Sequence, residues 1–187
     1  MIHNLDDIIK GCVSGKREEQ AQLYNMFADR MYAVCLYYSK DQTEAEDLLH
    51  EGFIKVFKSI SQYRKEGSFE GWIRRIMINT SLEKFRKHNQ LYPVDNVYDY
   101  VEDIGYEDII SKISFDDLLQ MIRELPPQYR MVFNLYVMED MPHKEISKIM
   151  GITEGTSKSN LSRARNLLQE KVINNFGLQR NKNKMVI

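Results

Sequence analysis

Residues 141–168 read MPHKEISKIMGITEGTSKSNLSRARNLL, and this stretch determines how the second half of the chain folds. A short segment with helical periodicity ends at Met150. It is followed by Gly151, which readily takes the positive φ that ends many helices. Thr153 can then accept hydrogen bonds from the backbone N–H groups that begin another helix. Two helices joined by so short a turn predict a helix-turn-helix motif.

The second helix of this motif carries the side chains that would contact a ligand. Its predicted inner stripe is Ser157, Leu161, Ala164 and Leu168. The outward side chains are then Lys158, Ser159, Ser162, Arg163 and Asn166. Arg and Lys donate to guanine O6 and N7, and Ser can bond bases or phosphates, so the pattern predicts entry into the major groove of DNA. The alternative is a helical hairpin that only packs, for which small outward residues have no purpose.

The first half of the chain has the pattern of long helices. Few glycines and no prolines interrupt the sequence before Pro93. Apolar side chains at steps of three and four predict helices over residues 19–38, 43–60 and 69–87. Thr43 and Ser68 are the expected N-caps of the last two. Together with the helix-turn-helix, these helices predict an all-α fold of two small domains.

One predicted helix carries an apolar residue on its polar side. Ile54 is framed by Asp47, His50 and Glu51 at helical spacing. A single exposed apolar residue is ordinary, but this compact amphipathic patch could hold a partner helix.

The helix over 69–87 and the connector before it combine aromatic and basic side chains. These are Tyr63, Phe69 and Trp72 with Arg64, Lys65, Arg74, Arg75 and Asn79. Bases stack on rings while cations follow phosphates, so the mixture favours single-stranded nucleic acid. A solvated charged face is the alternative.

Charged residues are arranged in blocks along the chain. The formal net charge of −1 would by itself argue against nucleic acid as a partner. Basic residues nevertheless predominate over 64–89, acidic ones over 90–117, and basic ones again after 144. The predicted organisation is a helical domain over 1–90, an acidic linker over 91–114, a helix-turn-helix domain over 115–175 and a basic tail over 176–187.

Composition excludes fibrous, collagen-like and wholly disordered proteins. With 43% hydrophobic and 28% charged residues among 187, the chain reads as soluble and globular. It has no apolar run long enough for a bilayer helix and an acidic pair near its start, so we expect no membrane insertion and a cytoplasmic location. Cys12 and Cys35 lack the spacing of a metal or redox site and are predicted to be core thiols.

Two alternatives to a protein that binds both single-stranded and duplex DNA can be weighed. Asp47 with His50, and Asp140 with His143, have a carboxylate-x-x-His spacing found in di-metal bundles. Pro142 interrupts the second pair, and no nucleophile elbow or Gly-rich phosphate loop is present. We therefore expect no enzyme activity, no cofactor and no metal. An ordinary helix-turn-helix regulator is the other alternative, but it would have no use for the aromatic and basic segment over 67–87.

Four segments resemble the extracytoplasmic-function (ECF) class of bacterial sigma factors, the dissociable promoter-recognition subunits of RNA polymerase. They are AEDLLHEGFIKVF over 45–57, GSFEGWIRRIMINTSLEKFRK over 67–87, LPPQYRMVF over 125–133 and EISKIMGITEGTSKSNLSRARNLL over 145–168. The resemblance covers nearly the whole chain. It implies a region-2-like domain for the −10 promoter element and a region-4-like domain for the −35 element.

The resemblance also implies a role for each group of side chains. Asp47, His50, Glu51 and Ile54 would bind the clamp of the polymerase β′ subunit. Tyr63, Arg64 and Lys65, with Asn79 and Thr80, would capture unstacked bases of the −10 element. Lys158, Ser159, Ser162 and Arg163 would meet base edges of the −35 element, with Arg165 or Lys144 near phosphates. The β flap and an anti-sigma factor are further expected partners.

The sequence departs from the family pattern at four positions. His50 stands where Gln is usual, and Pro142 occupies the usual Ser or Thr cap before Glu145. Ser157 replaces a usually apolar inner residue, which predicts a weaker packing contact. Asn160 replaces a frequent Arg, which predicts one phosphate contact fewer.

Overall fold

The computed structural model describes residues 4–88 and 114–176, which contain helices and turns but no β-strand. The chain divides into two compact units after His88. The all-α expectation is therefore confirmed. Most of the predicted acidic linker and basic tail, residues 91–113 and 177–187, lies outside the described residues. Within them, no helix is long and apolar enough to cross a bilayer.

Over residues 4–88, the N-terminal unit contains four α-helices and one 3-10 helix. They are α1 (Leu5–Val13), α2 (Arg17–Tyr38), α3 (Gln42–Ser59), the 3-10 helix (Ile60–Gln62) and α4 (Phe69–His88). Helices α2, α3 and α4 pack on one another, while α1 packs against α2 and the 3-10 helix. The core is apolar and includes Leu23, Met31, Leu48, Ile73 and Met77, all fully buried. The unit is thus a small helical bundle with an apolar core.

The stripe that helical spacing predicts on α2 is buried except at one position; its members are Leu23, Phe27, Arg30, Met31, Val34, Cys35 and Tyr38. Leu23, Phe27, Met31, Val34, Cys35 and Tyr38 are buried as expected. Arg30 is exposed instead, with its guanidinium 5.0 Å from the Phe27 ring centre and paired with Glu70 of α4. The Arg30 side chain therefore lies at the edge of the core and not in its interior.

The N-terminal unit also contains two buried cysteines and two side-chain helix caps. Cys12 and Cys35 are buried free thiols, as predicted, and burial raises the pKa of Cys35 to about 12. The prediction that Thr43 caps α3 is wrong, because Thr43 already lies inside the helix, which begins at Gln42. Asp41 is the cap, and its Oδ1 accepts from the Glu44 backbone N–H at 2.8 Å. Ser68 caps α4 as expected, accepting from the Gly71 N–H at 3.0 Å.

Within residues 114–176, the C-terminal unit contains four helices. They are α5 (Phe115–Arg123), α6 (Pro127–Val137), α7 (His143–Met150) and α8 (Glu154–Phe176). Helix α8 packs along α6 and also contacts α5 and α7. Six buried residues form one cluster between α5 and α8: Met121, Ile122, Leu125, Ala164, Leu168 and Val172. The long helix α8 is therefore the element around which the other three are arranged.

The predicted helix-turn-helix lies in this unit. Gly151 has φ 67° and ends α7 in the left-handed conformation. Thr153 Oγ1 accepts from the Thr156 backbone N–H at 3.0 Å at the start of α8. Asp140 has φ 50° and precedes α7, so it does not share a helical face with His143. This removes the helical spacing that a metal-binding pair at these residues would need.

Candidate polymerase and nucleic-acid interfaces

The amphipathic patch predicted on α3 is present at the surface. Asp47, His50, Glu51 and Ile54 are all exposed. The opposite side of the helix is buried through Leu48, Leu49, Gly52 and Phe53. Ile54 is 53% exposed. The patch thus offers one apolar side chain surrounded by two carboxylates and an imidazole.

The loop between the 3-10 helix and α4 contains three of the residues predicted to contact bases, Tyr63, Arg64 and Lys65. Tyr63 Oη donates to the Gly67 carbonyl at 2.9 Å and closes the loop. Lys65 has φ 60° and Gly67 has φ 92°. The Arg64 side chain is exposed. Of the three predicted loop readers, Tyr63 and Lys65 are already engaged within the protein, and Lys65 Nζ lies 2.8 Å from Asp6 Oδ2.

Three aromatic rings form a cluster at this loop. The ring centre of Tyr63 lies 4.9 Å from that of Phe69 and 5.6 Å from that of Trp72. Phe69 and Trp72 are stacked at 5.5 Å. Phe69 is buried, whereas Tyr63 and Trp72 are half-buried. The partly open rings can present a face to an unstacked base.

The two residues of α4 that were predicted to contact bases differ in exposure. Asn79 is exposed. Thr80 is 1% exposed, and its hydroxyl donates to the Ile76 carbonyl at 2.8 Å. The prediction that Thr80 contacts bases is therefore wrong, because this residue faces the bundle and its hydroxyl is satisfied one helical turn back.

Ion pairs change the charge that α4 presents. Glu70 pairs with Arg30 of α2, and Glu83 pairs with Lys55 of α3 at 2.8 Å. The hydrogen bond from Lys55 lowers the pKa of Glu83, which stays ionised at neutral pH. Because cations from neighbouring helices offset these carboxylates, the exposed Arg75, Arg86 and Lys87 dominate the outer face of α4.

Helix α8 buries a wider face than its periodicity predicts. Lys158 and Arg165 are exposed, and Ser162 and Arg163 are half-buried. Ser159 is only 3% exposed, so its predicted outward position is wrong. Ser157, Ser159, Asn160 and Leu161 are all buried there. Both α6 and α7 pack against α8, and two neighbours cover more of its circumference than one would.

The arginines of α8 are held by aromatic residues of α6. Arg163 Nη1 donates to Tyr129 Oη at 3.1 Å. The Arg165 guanidinium lies 5.8 Å from the ring centre of Tyr136. Such contacts restrict the orientations of a guanidinium.

A contact that involves Ser157, one of the departures from the family pattern, was missed by sequence reasoning. His143 Nδ1 lies 2.9 Å from Ser157 Oγ, which is fully buried. The His143 ring stacks on Tyr136 at 4.6 Å. Burial lowers the pKa of His143, Lys158 and Arg165 lower it further, and Glu154 opposes them. Ser157 was expected only to weaken packing, but it gains a hydrogen bond that joins α7 to α8.

Comparison with known families assigns each unit separately. Residues 23–90 match the family model for sigma-70 region 2, and residues 115–168 match that for sigma-70 region 4. The chain is 35% identical over 156 residues to the ECF RNA polymerase sigma factor SigE of Mycolicibacterium smegmatis, covering 80% of this chain and 60% of that protein. The chain belongs to the ECF class of RNA polymerase sigma factors. Its function is promoter-specific transcription initiation.

Further relatives agree with this sigma-factor assignment. The chain is 26% identical to the ECF sigma factor SigW of Bacillus subtilis, covering 88% of this chain and 94% of that protein. A solved structure of the sigma factor RpoE in complex with the anti-sigma factor NepR, from Bartonella quintana, matches with a TM-score of 0.51 and 20% identity over 86% of this chain and 98% of that one. This likeness supports the fold.

The two matched regions of the sigma factor contain all the surfaces described above. The region 2 match includes the α3 patch, the loop and α4, and the region 4 match includes the helix-turn-helix. Helix α1 precedes the region 2 match. Sigma factors in general are not enzymes, and no cluster of three or more metal-binding side chains occurs within residues 4–88 and 114–176.

Proposed function

We propose that this sigma factor docks on core RNA polymerase through the α3 patch, captures the −10 element with the loop and α4, and reads the −35 element with α8. It performs no catalysis of its own, because the polymerase supplies the chemistry. It acts in the cytoplasm, where core polymerase and the chromosome are found. The observation that carries the proposal is the presence, in one chain, of a region 2 and a region 4 that each expose a surface of the required character.

Docking on the β′ clamp is supported by the composition of the α3 patch. Ile54 supplies an apolar anchor, and the surrounding Asp47, His50 and Glu51 can bond a polar rim. Interfaces commonly have such a buried apolar centre within a polar rim. Lys55 lies 3.1 Å from Glu51 and orients its carboxylate, which lowers the ordering cost on binding.

Capture of the −10 strand is supported by the arrangement of rings, cations and amide. Trp72 and Tyr63 offer ring faces, Arg64 offers a cation, and Asn79 offers a donor and an acceptor to a base edge. Extruding a base costs a few kcal/mol. Stacking contributes about 1 to 3 kcal/mol per base and can offset that cost. Thr80 takes no direct part because its hydroxyl is buried.

Recognition of the −35 duplex is supported by the outward face of α8. Lys158 and Arg165 are exposed, while Ser162 and Arg163 lie at the edge of the exposed face. Arg163 can donate to guanine O6 and N7, and Lys144, exposed on α7, can approach a phosphate. Ser159 is left out because it is buried.

Regulation is expected to involve an anti-sigma factor, as the family resemblance implies. The β flap of the polymerase is the expected partner of the region 4 unit. The linker sequence over 91–114 is strongly acidic, so it would repel DNA and act as a tether between the two binding units.

Run-off transcription tests the proposal. Core polymerase from the same cell would be assayed with and without the protein on genomic fragments. Selective new transcripts are the expected result. Binding to DNA without any polymerase-dependent transcript would indicate an ordinary helix-turn-helix regulator instead.

A further inference from the structure

The base-capturing loop has a backbone conformation that needs support. Lys65 has φ 60°, which is uncommon for a residue with a side chain. Such a conformation persists only where surrounding contacts hold it. Tyr63 holds one side of the loop through its hydrogen bond to the Gly67 carbonyl and its ring contacts. A second contact comes from a helix far away in sequence.

That second contact is an ion pair with α1. Lys65 Nζ lies 2.8 Å from Asp6 Oδ2, across 59 positions of sequence. Helix α1 also packs against the 3-10 helix that leads into the loop, so the pair extends an existing contact. The hydrogen bond from Lys65 lowers the pKa of Asp6, and the same bond raises the pKa of Lys65. Both groups are therefore charged at neutral pH.

We infer that Asp6 is a positioning residue for −10 recognition, which holds Lys65 and thereby fixes the loop in the shape that presents Arg64 to the strand. Lys65 then acts through the loop backbone and makes no phosphate contact. This inference rests on the proposed function of the loop. It makes α1, which precedes the region 2 match, part of the promoter-recognition unit.

A direct contact between Lys65 and a DNA phosphate would give a different salt dependence of binding. If Lys65 left Asp6 to contact a phosphate, it would release counterions on binding. Each phosphate contact on single-stranded DNA contributes about 0.7 to the slope of log affinity against log salt. A residue that only positions the loop contributes to affinity but not to this slope. The slope therefore separates positioning from direct contact.

The experiment uses the full chain bound to core polymerase and a fork-junction DNA. The DNA carries the −10 strand of the promoter that the protein selects in run-off transcription. Affinity is measured over a range of salt for wild type, Asp6→Asn, Lys65→Met, the double variant and Arg64→Met. Asp7→Asn is the matched control, since it makes the same charge change on α1 and breaks an exposed pair with Lys10.

The expected result has three parts. Asp6→Asn and Lys65→Met each weaken binding by about two- to fivefold, a modest loss because the pair is exposed. The double variant is no weaker than either single one, and Lys65→Met leaves the salt slope unchanged. Arg64→Met lowers the slope by about 0.7, and Asp7→Asn behaves as wild type.

Two results would overturn the inference. One is a slope lowered by about 0.7 in Lys65→Met, together with tighter binding by Asp6→Asn, which would mean that Asp6 competes with phosphate. The other is wild-type affinity in both single variants. A protein that gives no selective transcript would instead refute the proposed function. In that case the pair is still tested in the free protein, where Lys65→Met must raise the pKa of the Asp6 carboxyl as measured by NMR.

Discussion

Arg163 Nη1 donates a hydrogen bond to Tyr129 Oη at 3.1 Å, which ties the proposed recognition helix α8 to α6. The residue best suited to read a guanine is therefore also a brace between two helices. Changing Arg163 and Tyr129 in turn distinguishes a role of Arg163 in DNA binding from a role in helix packing alone.

We expect Arg163→Ala to cost about 1 to 3 kcal/mol at one base pair of the −35 element and to relax the choice of base there. Tyr129→Phe keeps the ring but removes the acceptor, so it should retain the base preference. Binding would be measured on duplexes substituted at each −35 position. An equal loss on every sequence would reassign Arg163 to a phosphate, and loss of the same preference in Tyr129→Phe would make it an indirect effect of orientation.

The contact between His143 and Ser157 predicts a pH dependence of the C-terminal unit. The folded state holds the pKa of His143 below its ordinary value of 6.5. As the pH falls through that value the unfolded chain binds more protons, so the free energy of unfolding decreases and levels off below the lowered pKa. Hydrogen exchange of α8 amides between about pH 7.5 and 5 would measure this.

The control for this pH dependence is a pair of histidine variants. His143→Gln should flatten the response of the α8 amides over that range. His50→Gln, an exposed position in the other unit, should leave it unchanged. An equally steep response in His143→Gln would assign the effect to other groups.

Gly52 of α3 is expected to resist any larger side chain. A Cβ there would overlap Met77 Sδ, and Met77 is fully buried. Gly52→Ala should therefore lower the free energy of unfolding of the N-terminal unit by about 1 to 3 kcal/mol through overpacking. Fluorescence of Trp72, the single tryptophan of the chain, reports on this unit. Combining Gly52→Ala with Met77→Ala should cost less than the sum of the two, and simple additivity would contradict the proposed overlap.

The α3 patch can be tested with one matched pair of substitutions. Ile54 and Val13 are exposed to nearly the same extent, 53% and 51%, on different helices. Ile54→Ser should weaken binding to core polymerase by about tenfold or more if Ile54 is the anchor of the interface. Val13→Ser should not. Both should change the free energy of unfolding by less than about 0.5 kcal/mol. Equal binding by the two variants would remove the patch from the interface.

Asn79 and Thr80 are neighbours on α4 with opposite exposure, so they form a second matched pair. Asn79→Ala should weaken binding to a fork DNA that carries the −10 strand, with little change in stability. Thr80→Val should leave DNA binding unchanged, because its hydroxyl is bonded to Ile76 within the helix. The same fork DNA measures both. A loss of binding in Thr80→Val alone would show that the exposed face of α4 has been misassigned.

Local sequence determined most of the secondary structure of this protein. Helical periodicity gave the helices and their main buried stripes, and Gly151, Thr153 and Ser68 marked helix ends where the structure has them. The exposure of Asp47, His50, Glu51 and Ile54 also followed from periodicity, because α3 has one buried side. These features depend on residues within a few positions of one another.

Tertiary structure decided which of the predicted contact residues are accessible. Ser159 is buried because both α6 and α7 cover α8, and periodicity in α8 alone cannot report how many helices pack against it. The Arg163–Tyr129 and Lys65–Asp6 contacts join residues 34 and 59 positions apart. Such pairs depend on the packing of whole helices, so no local pattern in the sequence could reveal them.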